Sequence, residues 1–378
     1  MTTEPKAKSA DYGLGPHTYP RGWFVVAEAN ELDNGPIGAE FFGKEFVLYR
    51  GNSGKVIALD AYCKHMGTHL AKSTSAHIVT SNSQIVGDSI LCPYHAWQYG
   101  ADGALENIPY DDICPKNGSI NAYEVREVMG CIMMWHDEEG QGPDYEPPYL
   151  PAWDADNTIP WVLDHLGEIG MHNLEILDNI CDVRHLGPTH GSPCEYFENE
   201  FRDFQVLQRQ GGYLDLYQAH LDTVTWYTGP GILLSKQTFN GLTMFEFIAG
   251  TPVRDGVTKA WHGALCYSAN VPPTEEDVQV ARELQAGVLE AFATDFEVWA
   301  NKVPALKVIQ TPKDGNFRTV RRWANQFYMP REDAGKLQEE LNGVLPVKDF
   351  PQPSTEARDE GFEDDCFKLM GQDVAETA

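Results

Sequence analysis

Four side chains in this 378-residue sequence are spaced to hold a metal cluster. Cys63-Lys64-His65 sets one thiol and one imidazole a single residue apart, and Cys92-Pro93-Tyr94-His95 sets a second pair two residues apart. Thiolates suit iron–sulfur clusters. When two histidines replace two of four cysteines, one iron keeps only sulfur ligands from the protein and the other takes the imidazoles, which raises the reduction potential. A cluster so poised can take up an electron and pass it on. A zinc ribbon also uses paired Cys and His loops, but it typically pairs Cys with Cys and His with His. His69, His77 and His136 read as loop or packing residues rather than ligands.

A second constellation lies in Asp178-Asn-Ile-Cys-Asp182-Val-Arg-His185-Leu-Gly-Pro-Thr-His190. Asp182 and His185 are three apart and share a face if the segment is helical. His185 and His190 are five apart, which a straight helix does not align. Gly187-Pro188 is expected to break the chain between them and swing His190 back. Two histidines and one carboxylate on one face of an iron leave positions open for O₂ and substrate. The carboxylate has to come from elsewhere. Asp295 sits among Phe292, Phe296 and Trp299, where a buried acid is costly unless it meets a metal or partner. It is the candidate third ligand, with Glu297 as the fallback.

These residues need scaffolds. From Arg21 the chain runs through short strand-like stretches (WFVVAE, EFVLYR, KVIALDAY), with Gly51–Gly54 as a hairpin turn, ending in a strand over Cys131–His136. This reads as a small antiparallel β domain over 20–150, closed by a Pro/Gly-rich linker from Gly140 to Pro151. The second domain, 151–350, opens with helical spacing over 171–190. Strand-like runs follow at 213–221, 232–239, 242–250 and 259–271. Thr274 then caps a long helix with acids at 275–277, and Val278, Leu284, Val288, Leu289, Phe292 and Phe296 form its apolar stripe. Residues 318–329 read as one more strand. Residues 1–18 read as a loose arm and 351–378 as a mobile acidic tail. The fold class expected is α+β: an antiparallel β domain, then an antiparallel sheet gripping a long helix. Tyr213, Leu214, Leu216, Leu233, Leu234, Met244, Phe245, Phe247 and Ile248 supply candidate walls for an apolar substrate cavity.

Composition narrows the partners. Acids outnumber bases 56 to 28, a formal net charge of −28, which repels phosphate backbones and anionic lipid. No stretch approaches the length of a membrane span, and the first residues lack a signal peptide's apolar core. The expectation is a cytoplasmic protein that binds neither nucleic acid nor membrane. The eight cysteines are scattered, unlike a disulfide framework.

With both motifs in this order, the chain resembles the Rieske non-haem iron oxygenases over about 20–330. Within them Y-P-R-G-W23, F-F-G-K-E-F-V-L-Y-R50, C-K-H-M-G, C-P-Y-H-A-W-Q-Y-G-A-D-G, L-D-N-I-C-D-V-R-H-L-G-P-T-H-G-S-P and D-F-E-V-W-A-N-K are similar to the 3-ketosteroid 9α-hydroxylase branch. The resemblance implies that Cys63 and Cys92 bind one iron of a [2Fe–2S] Rieske cluster and His65 and His95 the other. It implies that His185, His190 and Asp295 hold a mononuclear Fe(II), with Asn179 a polar neighbour. Asp182 would bridge a cluster histidine of one subunit to an iron histidine of the next, in a homotrimer. The implied partners are an NAD(P)H-dependent reductase or ferredoxin, O₂ and a small apolar, steroid-like substrate. An aryl-ether O-demethylase, an aromatic-ring dioxygenase and a plain Rieske electron carrier are the competing readings. Two departures stand out. The stretch Ala71–Asp88 between the cluster halves is long for the family, and Leu186-Gly187-Pro188 lacks the bulkier aromatic pattern of the steroid branch.

Overall fold

A computed structural model describes residues 4–214, 218–354 and 368–371. The chain divides into two compact units. One spans Phe24–His136, and the other takes Met1–Trp23 together with Asp137–Ala378.

The smaller unit is built from three short antiparallel sheets. Strands Lys44–Arg50 and Val56–Asp60 meet across the Gly51–Gly54 turn, closed by a hydrogen bond from Gly54 N to Gly51 O. Val47, Tyr49, Ile57, Leu59, Ile90 and Tyr99 fill the core beneath the two loops that carry the Cys/His pairs. The long stretch between those loops is partly structured. His77–Thr80 is one helical turn, and buried Gln84 donates to the Leu70 and Leu91 carbonyls.

In the larger unit a nine-stranded antiparallel sheet faces one long helix. Its labelled strands are β1 (Asp164–Ile169), β2 (Tyr196–Arg202), β3 (Gln205–Leu214), β4 (Ala219–Thr228), β5 (Ile232–Phe239), β6 (Leu242–Arg254) and β7 (Val257–Tyr267). Strands β2 to β7 run in sequence order across the sheet, and β1 also pairs with β7. Helices are α1 (Asn173–Leu177), α2 (Leu186–His190), α3 (Glu275–Asn301) and α4 (Phe317–Asn325). The α+β architecture expected from the sequence is present.

Several expectations need correction. Residues 318–329 are not a strand: Val320, Trp323 and Ala324 recur at helical spacing and are buried, so α4 forms. The run 213–221 is not one strand either, because Tyr213 pairs with His220 and Leu214 with Ala219 as the ends of two strands. The N-terminal arm is anchored over its described residues. Lys6 Nζ donates to the carbonyls of Trp299, Ala300 and Lys302, supplying the positive charge that the C-terminus of α3 lacks. Ser9 is buried, and Tyr12 donates to Glu175 Oε1 at 2.7 Å. The stretch read as a linker belongs to the larger unit. Tyr145 stacks on Phe204, and Pro148–Tyr149 pair with Lys368–Leu369, so this part of the tail is held in a strand. The rest of the tail from 355, and Leu216, lie outside the described residues.

Two anchors hold the segment that carries Asn179 and Asp182. Asp178 receives a two-pronged ion pair from Arg321, Nη2–Oδ2 2.5 Å and Nε–Oδ1 3.0 Å. Burial pushes the Asp178 carboxyl up to about 6 against the pull of Arg321. Gly315 lies so close that a Cβ there would overlap the Cys181 carbonyl oxygen.

Ahead of this segment, His172 caps α1. Its Nδ1 accepts from Leu174 N at 3.1 Å, so its Nε2 donates to Ser9 Oγ at 3.0 Å and the ring is neutral. Burial lowers its pKa to about 4. The unfolded chain therefore binds a proton that the folded one refuses between roughly pH 6.5 and 4. Stability should fall through that window by on the order of 3 kcal/mol from this residue. Urea titrations of wild type and His172→Gln across the window should show a shallower acid loss in the variant. Gly315→Ala should cost on the order of 3 kcal/mol through its clash with Cys181, read as a lowered melting temperature.

Candidate metal centres

In the smaller unit the two Cys/His loops are built alike. Cys63 N donates to Thr68 O and Gly67 N to Cys63 O; Cys92 N donates to Trp97 O and Ala96 N to Cys92 O. The fourth residue after each cysteine has a left-handed backbone, Gly67 at φ 71° and Ala96 at φ 57°. Glycine takes this conformation freely, whereas alanine is strained in it and must be held by the surrounding loop. Both cysteines are buried, while His65 is exposed and His95 half-buried. The imidazole rings meet edge to face at 4.6 Å, and His65 stacks on Trp97 at 4.7 Å. A hydrogen bond with Cys92 holds the Cys63 thiol below its usual value despite burial, and the Tyr99 hydroxyl 3.1 Å from its sulfur adds to the fall. Two sulfurs inward and two imidazoles outward form a donor set that fits a two-Cys, two-His [2Fe–2S] centre. His69 instead bonds Ala71 N, and His136 stacks on Phe42, so both have packing roles.

In the larger unit, one donor atom each from His185, His190 and Asp295 lies within 4.8 Å of the others. His190 Nε2 is 3.4 Å and His185 Nε2 4.0 Å from Asp295 Oδ1. Asp295 is buried on α3, whereas Glu297 is exposed and points elsewhere. Asn179 Nδ2 donates to the other carboxylate oxygen, Oδ2, at 3.1 Å. The Asp182 carbonyl accepts from His185 Nδ1, which leaves Nε2 free to ligate. The Asp182 carboxylate lies 3.8 Å from the same Nδ1 and is partly exposed. An anionic oxygen and two neutral nitrogens converging on one point fit a 2-His-1-carboxylate iron.

The local chain path differs from expectation. Asp182 and His185 do not share a helix, because Asp182 ends a 3₁₀ turn (Asp178–Cys181) with ψ 76°. Gly187-Pro188 does not break the chain but begins α2. Proline is tolerated in a first turn, whose N–H groups have no helical partner. His185 lies just before this turn and His190 ends it, with the chain leaving at Gly191 (φ 65°). That single turn brings two histidines five apart to one place.

The sheet face near this centre follows from strand register. Asn199 and Gln208 both donate to Ile180 O, so their side of the sheet faces the 178–181 segment. Gln208, Thr225, Ser235 and Glu246 are direct cross-strand neighbours and share that side. Tyr227, Leu233, Ile248 and His262 form a second row on it. Burial and the Asp295 carboxylate push the Tyr227 pKa up, which puts the Tyr227 end of this row near the centre. Of the candidate wall residues, Leu233, Met244 and Ile248 are on this side. Leu234, Phe245 and Phe247 point to the other side, where Phe247 stacks on Trp161. Tyr213 is exposed. Sequence reasoning missed His262, fully buried between Asp164 Oδ2 at 2.9 Å and Glu246 Oε1 at 3.2 Å. Its alternation within β7 was the only signal.

Comparison with known proteins agrees with this geometry. Residues 22–123 match the Rieske [2Fe-2S] domain, and residues 134–328 match the 3-ketosteroid 9alpha-hydroxylase C-terminal domain. A 3-ketosteroid-9-alpha-monooxygenase oxygenase component of Rhodococcus rhodochrous is 29% identical over 343 residues, covering 86% of this chain and 88% of the relative. A cholesterol 7-desaturase of Bombyx mori is 29% identical over 343 residues, covering 83% of this chain and 70% of the relative. Among solved structures, NdmA of Pseudomonas putida CBB5 superposes with a TM-score of 0.61 at 16% identity, over 87% of this chain and 97% of that one, a likeness of fold. Two loops that present sulfur inward and imidazole outward, and a buried carboxylate facing two histidines, thus occur in a chain that belongs to the Rieske non-haem iron oxygenases, with a catalytic domain of the 3-ketosteroid 9α-hydroxylase family.

Proposed function

We propose that the chain is the oxygenase component of a multicomponent monooxygenase that hydroxylates a steroid-like polycycle. The observation that carries this reading is the convergence of His185, His190 and Asp295 beside the apolar patch formed by Leu233 and Ile248. In it, Cys63, His65, Cys92 and His95 hold the cluster, and His185, His190 and Asp295 hold the iron. Iron bound there supplies O₂ activation, and the cluster supplies electrons. The chain's own part is to hold and orient. Asn179 fixes the carboxylate through Oδ2 and leaves Oδ1 toward the histidines. The Asp182 carbonyl sets the tautomer of His185. Tyr227, Leu233 and Ile248 offer a dry surface on which an apolar ring system can lie against the centre.

Names of relatives support a steroid: 3-ketosteroid-9-alpha-monooxygenase in Rhodococcus rhodochrous and cholesterol 7-desaturase in Bombyx mori. The component nature of the first supports a separate reductase as electron donor. No helix among the described residues is long and apolar enough to cross a membrane. We place the working enzyme in the cytoplasm as a homotrimer, with the partly exposed Asp182 carboxylate reaching a neighbouring subunit's cluster histidine. A bare electron carrier would have no use for the second centre, and the catalytic-domain match speaks against it.

The test is a single-turnover reaction: protein reduced chemically, freed of reductant, and mixed with steroid and air. One added oxygen atom in the product, dependent on reduction, is expected. Loss of two hydrogens instead would make the chain a desaturase, and no steroid product would remove the substrate class. Metal analysis checks the ligand set. Asp295→Ala should lose the mononuclear iron while keeping the cluster's colour, and Glu297→Gln should keep both. Asn179→Ala should weaken iron retention on the order of tenfold. Asp182→Asn should leave both metals bound yet slow electron delivery to product.

A further inference from the structure

The N-terminal arm reaches the proposed iron site at second hand, through one buried carboxylate. Glu175 of α1 has none of its surface exposed. Its Oε1 accepts from the Tyr12 hydroxyl at 2.7 Å and from Ala305 N at 2.7 Å, and Lys302 Nζ lies 2.5 Å from its Oε2. Three chain segments thus meet on one charge: the arm, α1 and the stretch just after α3. Water cannot replace a donor lost there, so each segment fixes the place of the others.

Two of those segments carry the iron site. Four residues after Glu175 comes Asn179, whose Nδ2 donates to Asp295 Oδ2 at 3.1 Å. Asp295 lies seven residues before Lys302, which is two turns of α3 or about 10 Å along its axis. The α1 segment and α3 are therefore tied at two points, Asn179 to Asp295 within the site and Glu175 to Lys302 behind it. A hydrogen-bonded helix moves as a rod, so a shift of the rear tie is carried to the front one.

Tyr12 is the part of the rear tie that comes from outside both segments. Its ring centroid lies 4.8 Å from that of His172 and 5.9 Å from the Arg321 guanidinium carbon. The arm is held against α3 by Lys6 Nζ, which donates to the Trp299, Ala300 and Lys302 carbonyls. Besides burying Ala7 and Leu14, the arm therefore delivers a hydroxyl to the carboxylate and an ammonium to the helix end.

We propose that Tyr12 is a positioning residue for the mononuclear iron: its hydroxyl fixes Glu175, and through it the spacing between the Asn179 segment and the helix that carries Asp295. Without the hydroxyl, a charge shut off from water keeps two donors in place of three. The carboxylate then shifts toward Lys302 and Ala305, and the end of α3 shifts with it. The inference rests on the proposed iron site at His185, His190 and Asp295, and it adds a residue outside that ligand set.

The test measures how fast Fe(II) leaves the full-length protein, loaded with ferrous iron and mixed without air with a coloured ferrous chelator. Tyr12→Phe keeps both ring contacts and removes only the hydroxyl. It should release Fe(II) on the order of fivefold faster than wild type, less than the loss for a direct partner of a ligand, with the cluster's absorbance unchanged. Tyr19→Phe is the control. It also removes a hydroxyl that ties down the arm, one that accepts from Asp255 N at 3.1 Å, but it leaves Glu175 alone and should release iron at the wild-type rate. Lys302→Gln takes the charge from the other oxygen of Glu175 and should speed release in the same direction, which serves if Tyr12→Phe fails to fold. Release from Tyr12→Phe at the wild-type rate overturns the inference while leaving the iron site intact. Equal acceleration in Tyr12→Phe and Tyr19→Phe reports only a loosened arm and overturns it too. If wild type holds no Fe(II) that Asp295→Ala loses, the iron site itself falls, and the inference with it.

Discussion

A carboxylate buried beneath a β-sheet sits where water cannot stabilise its charge, and Asp295 is such a group. Its charge needs a cation or several donors. One oxygen has Asn179 Nδ2; the other faces the Nε2 atoms of His190 at 3.4 Å and His185 at 4.0 Å. Three side chains whose ligating atoms lie within 4.8 Å of one another fit a cation between them. The rest of the larger unit can be read as the scaffold that imposes this arrangement.

That scaffold relies on buried ions tied to backbone groups. Glu175, fully buried, accepts from Tyr12 and Ala305 N and pairs with Lys302 Nζ at 2.5 Å. It thereby links α1, which leads into the Asn179 and Asp182 segment, to the chain just after α3, which carries Asp295. Arg321 of α4 grips Asp178 one residue before Asn179 and also donates to Ala305 O. Lys6 seals the end of α3 from the N-terminal arm. Such pairs add little net stability against an apolar packing of equal volume, yet breaking one leaves an unpaired buried charge. What they fix is relative position, which a metal site demands to within fractions of an ångström.

The ligand-type residues were legible in the sequence because Cys, His and Asp in fixed spacings are rare and chemically definite. The N-terminus of α3 at Thr274 also followed from local rules. What was hidden depended on distant partners. Lys6 and Tyr12 look like parts of a solvated arm until the C-terminus of α3 and Glu175 are present to receive them. Residues 318–329 carry as many strand-like as helix-like residues, and burial of Val320 and Trp323 decides for a helix. Gly187-Pro188 reads as a break, but its meaning depends on where the helix begins, and here it begins just before the proline.

The long helix shows most clearly why periodicity alone misleads near a reaction centre. The apolar stripe expected on α3 included Val278 and Leu284, and both are exposed, while Gln285 and Asp295 are buried. A helix that only covers a core buries its apolar residues. This one has a sheet on its inner side whose rows end in Glu246, His262 and Asp164, so polar residues on α3 meet polar partners there. Gln285 bridges Val162 and Asp164, and about two turns later come the buried Phe292 and then Asp295. The helix thus buries an amide, aromatic rings and a carboxylate along its inner side. A hydrophobic pattern cannot encode that order, because the inner side of α3 meets a carboxylate at Gln285 and an imidazole at Phe292 rather than a uniform core.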